Sequence, residues 1–319
     1  MQKFSRKSFL ALLVGSSLSA CLPKRDYSIS NKEAEKFFPA LGDISLVNGL
    51  EFHNYGSDFN GDNVIFIHGA NINLRDWVLA NENVKNTEYN SIYVDRPGFG
   101  YSERDSTVWT AKMQAEQIRA FAQKNKIKKP VLVGHSWGSL VALEWLLSYP
   151  QEVRGFVSVA GVNSSFGRFT ELMSQVGIFD FTVEIYSQNL AKNASNGSIE
   201  RFAKRVFLPL NVPKDYLANV GADLSRRRKT ILANNEDLKQ TASTVAKLEK
   251  RYSEIDIPVE IIHGKNDWLL NANIHGQGFA NKLTKKNLTI LDGVGHMAHH
   301  SAANCVRDAV HRILEKKEL

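Results

Sequence analysis

Apolar residues along this chain gather into short continuous runs separated by amphipathic stretches. Runs at 64–68, 91–94, 131–134, 153–160, 259–264 and 288–291 are rich in Val, Ile and Leu, the composition of strands buried on both faces of a sheet. Two earlier segments, 44–47 and 50–55, bring the strand-like set to eight and read as an antiparallel pair at the start. From the third segment onward the strands alternate with helical stretches, so the pattern predicts an α/β fold built on a mostly parallel, doubly wound sheet. The alternation breaks once. After the sixth strand roughly ninety residues replace a short crossover and read as helices, which predicts a helical cap inserted at 162–251. Its first half carries Phe166, Phe169, Leu172, Met173, Val176, Ile178, Phe179, Phe181, Val183, Ile185 and Tyr186, most of them expected to pack on the body. A cap over the strand ends would also line an apolar acyl pocket.

The chemistry lies at the ends of the predicted strands. Gly134-His135-Ser136-Trp137-Gly138 follows one apolar run and opens a helix, the context of a nucleophile elbow, in which a strained turn lifts the serine hydroxyl clear of the sheet. Ser136 is the candidate nucleophile. Upstream, the run 64–67 ends in His68-Gly69-Ala70-Asn71, the place of a loop that supplies one backbone N–H to an oxyanion. The two expected donors are the N–H groups of Ala70 and Trp137. Downstream, Lys265-Asn266-Asp267-Trp268 places a carboxylate just past the seventh strand, and Asp292-Gly293-Val294-Gly295-His296-Met297 places a histidine on a glycine-bracketed loop past the eighth. Asp267 is the candidate acid and His296 the candidate base, with Asp292 as the rival acid.

The order Ser136, Asp267, His296, all at the carboxyl ends of strands, resembles that of the α/β-hydrolase superfamily, and the resemblance runs from about Leu41 to the last helix. Asp95-Arg96-Pro97-Gly98-Phe99-Gly100-Tyr101-Ser102 is similar to the loop after strand four in cofactor-free esterases and their cap-bearing relatives, where its role is structural. The resemblance implies the α/β-hydrolase fold, with a hydrolase domain at 44–319 and no cofactor. A serine at the elbow argues against the haloalkane dehalogenases and epoxide hydrolases of this fold, whose nucleophile is aspartate. Gly98 and Gly100 lack the third glycine opening a helix that a phosphate cradle needs. His296, His299 and His300 form H-x-x-H-H, but no matching carboxylate or thiolate pattern accompanies them, so no metal is expected and His299 and His300 read as a solvated pair at a helix start.

The N-terminus carries a second message. Lys3, Arg6 and Lys7 precede the apolar 9–15, and small residues end at Leu18-Ser19-Ala20-Cys21, an export signal too short for a comfortable membrane span. The ending resembles the bacterial lipobox, which implies a signal peptide at 1–20, cleavage before Cys21, lipidation of that residue and a spacer at 21–43. The expectation is a bacterial envelope protein tethered to a membrane through Cys21, with Leu22 next, a residue compatible with export to the outer membrane. Cys305 is the other cysteine of the chain, so acylation of Cys21 leaves no intramolecular disulfide to form.

Composition changes this picture little. The 319 residues are 43% hydrophobic and 23% charged, ordinary globular values, and 299 remain after cleavage. The net charge of +7 falls to +4 once the three basic residues of the leader are gone, a mild excess that demands no polyanionic partner. Arg226-Arg227-Arg228-Lys229 is the one dense basic run, expected as a solvated helix face or a contact with anionic lipid headgroups. Nucleic-acid binding lacks interleaved aromatics and any recognisable module. The expected function is a serine hydrolase acting on a small-molecule carboxylic ester. An aminopeptidase of the proline iminopeptidase type stays open, with Glu171, Asp180 and Glu184 as possible amine anchors. Carbon–carbon bond hydrolysis, perhydrolysis, a hydrolase-like ligand receptor and a structural envelope protein stay open as well.

Overall fold

The computed structural model describes residues 31–56, 58–84, 88–165 and 196–315. The export signal, Cys21, the eleven apolar residues of the first half of the cap and its three acids lie outside them.

The eight expected strands form one sheet: β1 (Asp43–Val47), β2 (Leu50–Tyr55), β3 (Asn63–Ile67), β4 (Asn90–Val94), β5 (Val131–His135), β6 (Gly155–Val159), β7 (Val259–Gly264) and β8 (Lys286–Leu291). Their order is β1-β2-β4-β3-β5-β6-β7-β8. The pairs β1/β2 and β2/β4 are antiparallel, and every pair from β4/β3 to β7/β8 is parallel. The fold is thus that of the α/β hydrolases. β3, β5, β6 and β7 are buried at every position, which is why their sequences are continuous apolar runs instead of alternating ones. The run 153–160 yields a shorter strand than its composition suggests, because Pro150–Glu152 takes a 3₁₀ turn that Val153 closes.

Helices cover both faces. One core layer joins α3 (Ala111–Lys124) and α4 (Gly138–Ser148) to the sheet, and the other joins α2 (Arg75–Asn81) and the C-terminal α7 (Ala303–Glu315). α4 is buried from Gly138 to Leu147 and, apart from Ser139 and Glu144, presents apolar side chains on every face, where α3 and α7 are amphipathic. The described part of the inserted segment holds α5 (Asn196–Phe207), a one-turn helix Tyr216–Asn219, a 3₁₀ turn Ala222–Arg226 and the long α6 (Arg228–Glu249). Val206, Phe207, Tyr216 and Val220 pack on Met297, beside the candidate base, so this layer lies over the carboxyl ends of the strands.

Two expectations are corrected. Residues 31–41 do not behave as a plain spacer: α1 (Asn31–Phe37) buries Ala34, and the carbonyls of Phe38, Pro39 and Leu41 bond Tyr101, Arg75 and His53. The basic run 226–229 is not wholly a solvated face: Arg228 is exposed, but its neighbours are drawn into the fold. Arg227 is fully buried, bonded to the carbonyls of Leu224 and Gly100 and facing Glu35, while Arg226 pairs with Asp223 at 2.8 Å. A guanidinium with carbonyls and carboxylates in reach is held inside the fold and does not face solvent. Among the described residues no helix is long and apolar enough to cross a membrane.

Candidate active site

Ser136 is the first residue after β5 and has φ +49°, in the left-handed region that non-glycine residues rarely occupy. Hydrogen bonds hold the strained turn from both sides: its N–H donates to Val159 at 3.0 Å, and its carbonyl accepts from Ser139 and Val162 at 3.1 and 3.2 Å. Gly138 is required by close approach. A Cβ there would stand 2.4 Å from the Ile67 carbonyl oxygen and 2.6 Å from that of His68, so only glycine lets α4 begin against the end of β3.

The loops after β7 and β8 meet over this turn. A Cβ on Gly264 would stand 2.2 Å from the Gly295 carbonyl oxygen, and Asn266 N–H donates to Val294 at 2.9 Å, so the glycine permits the contact that brings Asp267 beside His296. His296 Nδ1 donates to Asp267 Oδ2 at 2.8 Å, and His296 Nε2 lies 3.0 Å from Ser136 Oγ. A proton on Nδ1 leaves Nε2 with a lone pair aimed at the serine hydroxyl, the tautomer a general base needs. The other carboxylate oxygen of Asp267 accepts the N–H groups of Leu269 and Leu270, each at 2.9 Å, and His263 Nε2 stands 3.2 Å from Oδ2. Burial raises the Asp267 pKa, but His296, His263 and the Leu270 N–H outweigh it and hold the carboxyl well below the ordinary carboxylate value. Asp292, the rival, is exposed and bonds Lys265 at 2.5 Å.

The expected oxyanion donors flank the serine. Neither the Ala70 nor the Trp137 N–H donates to a backbone carbonyl among the described residues, and a Cβ on the preceding Gly69 would stand 3.1 Å from Ser136 Cβ. A cavity of about 170 Å³ opens above Ser136 and His296, with Ile72, Phe202, Val206, Leu217 and Met297 among its lining. An elbow serine and a base with an oriented tautomer meet at an apolar cavity that Ala70 also lines, a geometry suited to attack on an acyl carbon.

A second polar group lies beside it and carried no sequence signal. Asp76, fully buried on α2, accepts His299 Nε2 on Oδ2 at 2.7 Å, and His300 Nε2 and the Tyr216 hydroxyl on Oδ1, each at 2.8 Å. The expected solvated pair, His299 and His300, is therefore buried against this carboxylate. Burial lowers the His299 pKa to about 4 despite the pull of Asp76, which makes it a neutral imidazole donating to an anion. His135, next to the serine, is likewise held neutral by burial and by His299 and His296, and its Nε2–H donates to the His296 carbonyl at 3.2 Å. Among the described residues Asp76, His135 and His299 bring metal-type donor atoms within 4.8 Å of one another, but three protein donors already occupy both oxygens of the carboxylate.

The chain has relatives. The chain is 23% identical over 291 residues, 87% of its length and 95% of the relative's, to a 2-hydroxy-6-oxononadienedioate/2-hydroxy-6-oxononatrienedioate hydrolase of Pseudomonas putida. It is 23% identical to a putative esterase/lipase of Mycoplasma genitalium, covering 79% of this chain and 88% of that one. The solved structure of an esterase from Exiguobacterium antarcticum superimposes with a TM-score of 0.68 at 18% identity, covering 86% of this chain and all of that one. Residues 62–303, from the start of β3 to the start of α7, match the family described as the alpha/beta hydrolase fold, and the chain belongs to that family.

Proposed function

We propose that this protein is a serine hydrolase acting on carboxylic esters. The observation that carries the reading is the chain of contacts from Asp267 through His296 to Ser136, 2.8 and 3.0 Å, ending under an apolar cavity. Ser136 Oγ attacks the ester carbonyl while His296 Nε2 takes its proton. The oxyanion is received by the N–H groups of Ala70 and Trp137, and the imidazolium then protonates the departing alkoxide. Asp267 holds the imidazole in its tautomer and stabilises its charge. Water enters, gives a proton to His296 and cleaves the acyl-enzyme, which restores the free serine. No step calls on a metal or cofactor.

Labelling with a fluorophosphonate and mapping the adduct tests the assignment: the adduct is expected on Ser136, and a protein that takes none is a binding module. p-Nitrophenyl esters of graded acyl length, set against proline p-nitroanilide, separate esterase from aminopeptidase. The esters of short to medium chains are expected to give the higher kcat/KM. Carbon–carbon bond hydrolysis is the second reading, favoured by the similarity to the Pseudomonas putida hydrolase over most of both chains. A vinylogous diketone cleaved faster than every ester would establish it.

The N-terminal sequence extends the proposal to location. Cleavage before Cys21 and acylation of that residue would tether the enzyme to a membrane of the bacterial envelope, two or three acyl chains sufficing for stable attachment. Cys21→Ser is expected to abolish acylation and release the enzyme from the membrane fraction with its turnover intact. Wild-type protein recovered unlipidated with residues 1–20 attached would overturn the tether.

A further inference from the structure

Arg96, read in sequence as part of a structural loop, touches both halves of the expected oxyanion hole. It is fully buried after β4. Its Nε donates to the His68 carbonyl at 3.1 Å and its Nη2 to the Gly69 carbonyl at 2.9 Å. The Gly69 carbonyl and the Ala70 N–H belong to one planar trans peptide, in which they point opposite ways, so a cation fixing the oxygen also aims the hydrogen. The same oxygen accepts His68 Nδ1 at 2.9 Å, and the guanidinium lies over the Trp137 ring, 4.5 Å from its centroid.

The far side of Arg96 is held by α6. Arg96 Nη1 donates to Asp237 Oδ2 at 2.6 Å, both side chains fully buried, and Asp237 Oδ1 accepts Gln114 at 2.8 Å and Arg104 at 3.1 Å. One turn further along the helix, Thr241 Oγ1 accepts the Trp137 indole N–H at 3.0 Å. The inserted segment therefore holds both donor residues, one through Arg96 and one through Trp137.

We propose that Arg96 is a positioning residue that orients and polarises the Gly69–Ala70 peptide as an oxyanion donor, and that α6 sets the oxyanion hole through Asp237 and Thr241. This rests on the serine-hydrolase reading. A cation on the carbonyl oxygen draws density from the peptide nitrogen and makes Ala70 N–H the stronger donor where charge develops. The inserted segment then shapes the rate of the chemical step as well as the choice of acyl group.

The test measures kcat per phosphonate-titrated site in the full chain carrying Arg96→Gln with Asp237→Asn, which removes both buried charges and keeps hydrogen-bonding groups in place. Thr241→Val provides a second variant outside the ion pair. The double variant is expected to lose about tenfold or more in kcat with KM within about threefold, and Thr241→Val to lose less in the same direction. Affinity for a trifluoromethyl ketone, which forms an oxyanion on the serine, is expected to fall by the same factor as kcat/KM. A purely structural role would lower Tm and the titratable fraction but leave kcat per site and ketone affinity unchanged. Wild type labelled on Ser136, with both variants within twofold of its kcat per site, overturns the inference and leaves the hydrolase reading standing. Wild type that takes no phosphonate overturns both.

Discussion

At the scale of single residues, the site depends on a turn that only certain side chains tolerate. Ser136→Ala or His296→Ala is expected to reduce kcat by about 10⁴–10⁶ with the fold intact, and the double variant to be scarcely worse, because nucleophile and base act as one unit. Asp267→Asn is expected to be the milder loss. Steady-state kinetics beside circular dichroism checks all four, and near-additive losses would contradict a shared mechanism. Gly138→Ala adds a methyl where the Ile67 carbonyl already stands. It is expected to cost about 1–3 kcal/mol in urea unfolding and to slow phosphonate labelling, since α4 and the serine turn must shift together. The three residues that converge here were legible because each follows a strand, and the glycines beside them mark close backbone passage. Asp76 was not legible. It occupies an ordinary helix position, and its partners Tyr216, His299 and His300 lie 140 to 224 residues away in the chain.

At the scale of elements, buried strands announce themselves by composition, and all eight were legible within a few residues at either end. The partners of charged side chains were not. Arg227 belongs to a run that reads as a solvated face because local sequence records its charge but not the carbonyls of Leu224 and Gly100 that receive it. The stretch before β1 misleads in the same way. It is mixed and polar enough to read as a tether, yet α1 buries Ala34, and the residues after it bond Arg75, His53 and Tyr101. Chains beginning at Asn31 and at Gly42 should therefore differ. The shorter one is expected to unfold at lower urea, by about 1–3 kcal/mol, with kcat little changed because α1 touches none of Ser136, Asp267 and His296. Equal midpoints would mean that these contacts contribute nothing.

At the scale of the whole molecule, several imidazoles are buried in neutral form, and this ties stability to pH. Burial lowers His68 to about 3, with Arg96 adding to the effect, and lowers His275 and His299 to about 4. Their unfolded value is 6.5, so between pH 6.5 and about 4 the unfolded chain binds protons that the native chain refuses. Their contribution is complete above pH 6.5 and is lost as the pH falls through that window, at a slope of about 1.4 kcal/mol per pH unit at most for each group. The unfolding free energy is expected to be level from pH 8 to 7 and to fall steeply below 6.5, measured by urea titration at each pH. His299→Gln, still able to donate to Asp76, is expected to make the fall shallower, and an unchanged slope would remove His299 from the account.

The spread of the site along the chain also gives the protein a schedule. Ser136 is made early, just after a central strand, but its base arrives 160 residues later, after the final strand has docked beside β7. Until then a nascent chain carries a serine with no imidazole to deprotonate it, and any fragment ending before β8 is chemically silent. Activity is the last property that synthesis confers. On the proposed serine-hydrolase reading, the protein is thus inert through most of its own translation, without a separate inhibitor.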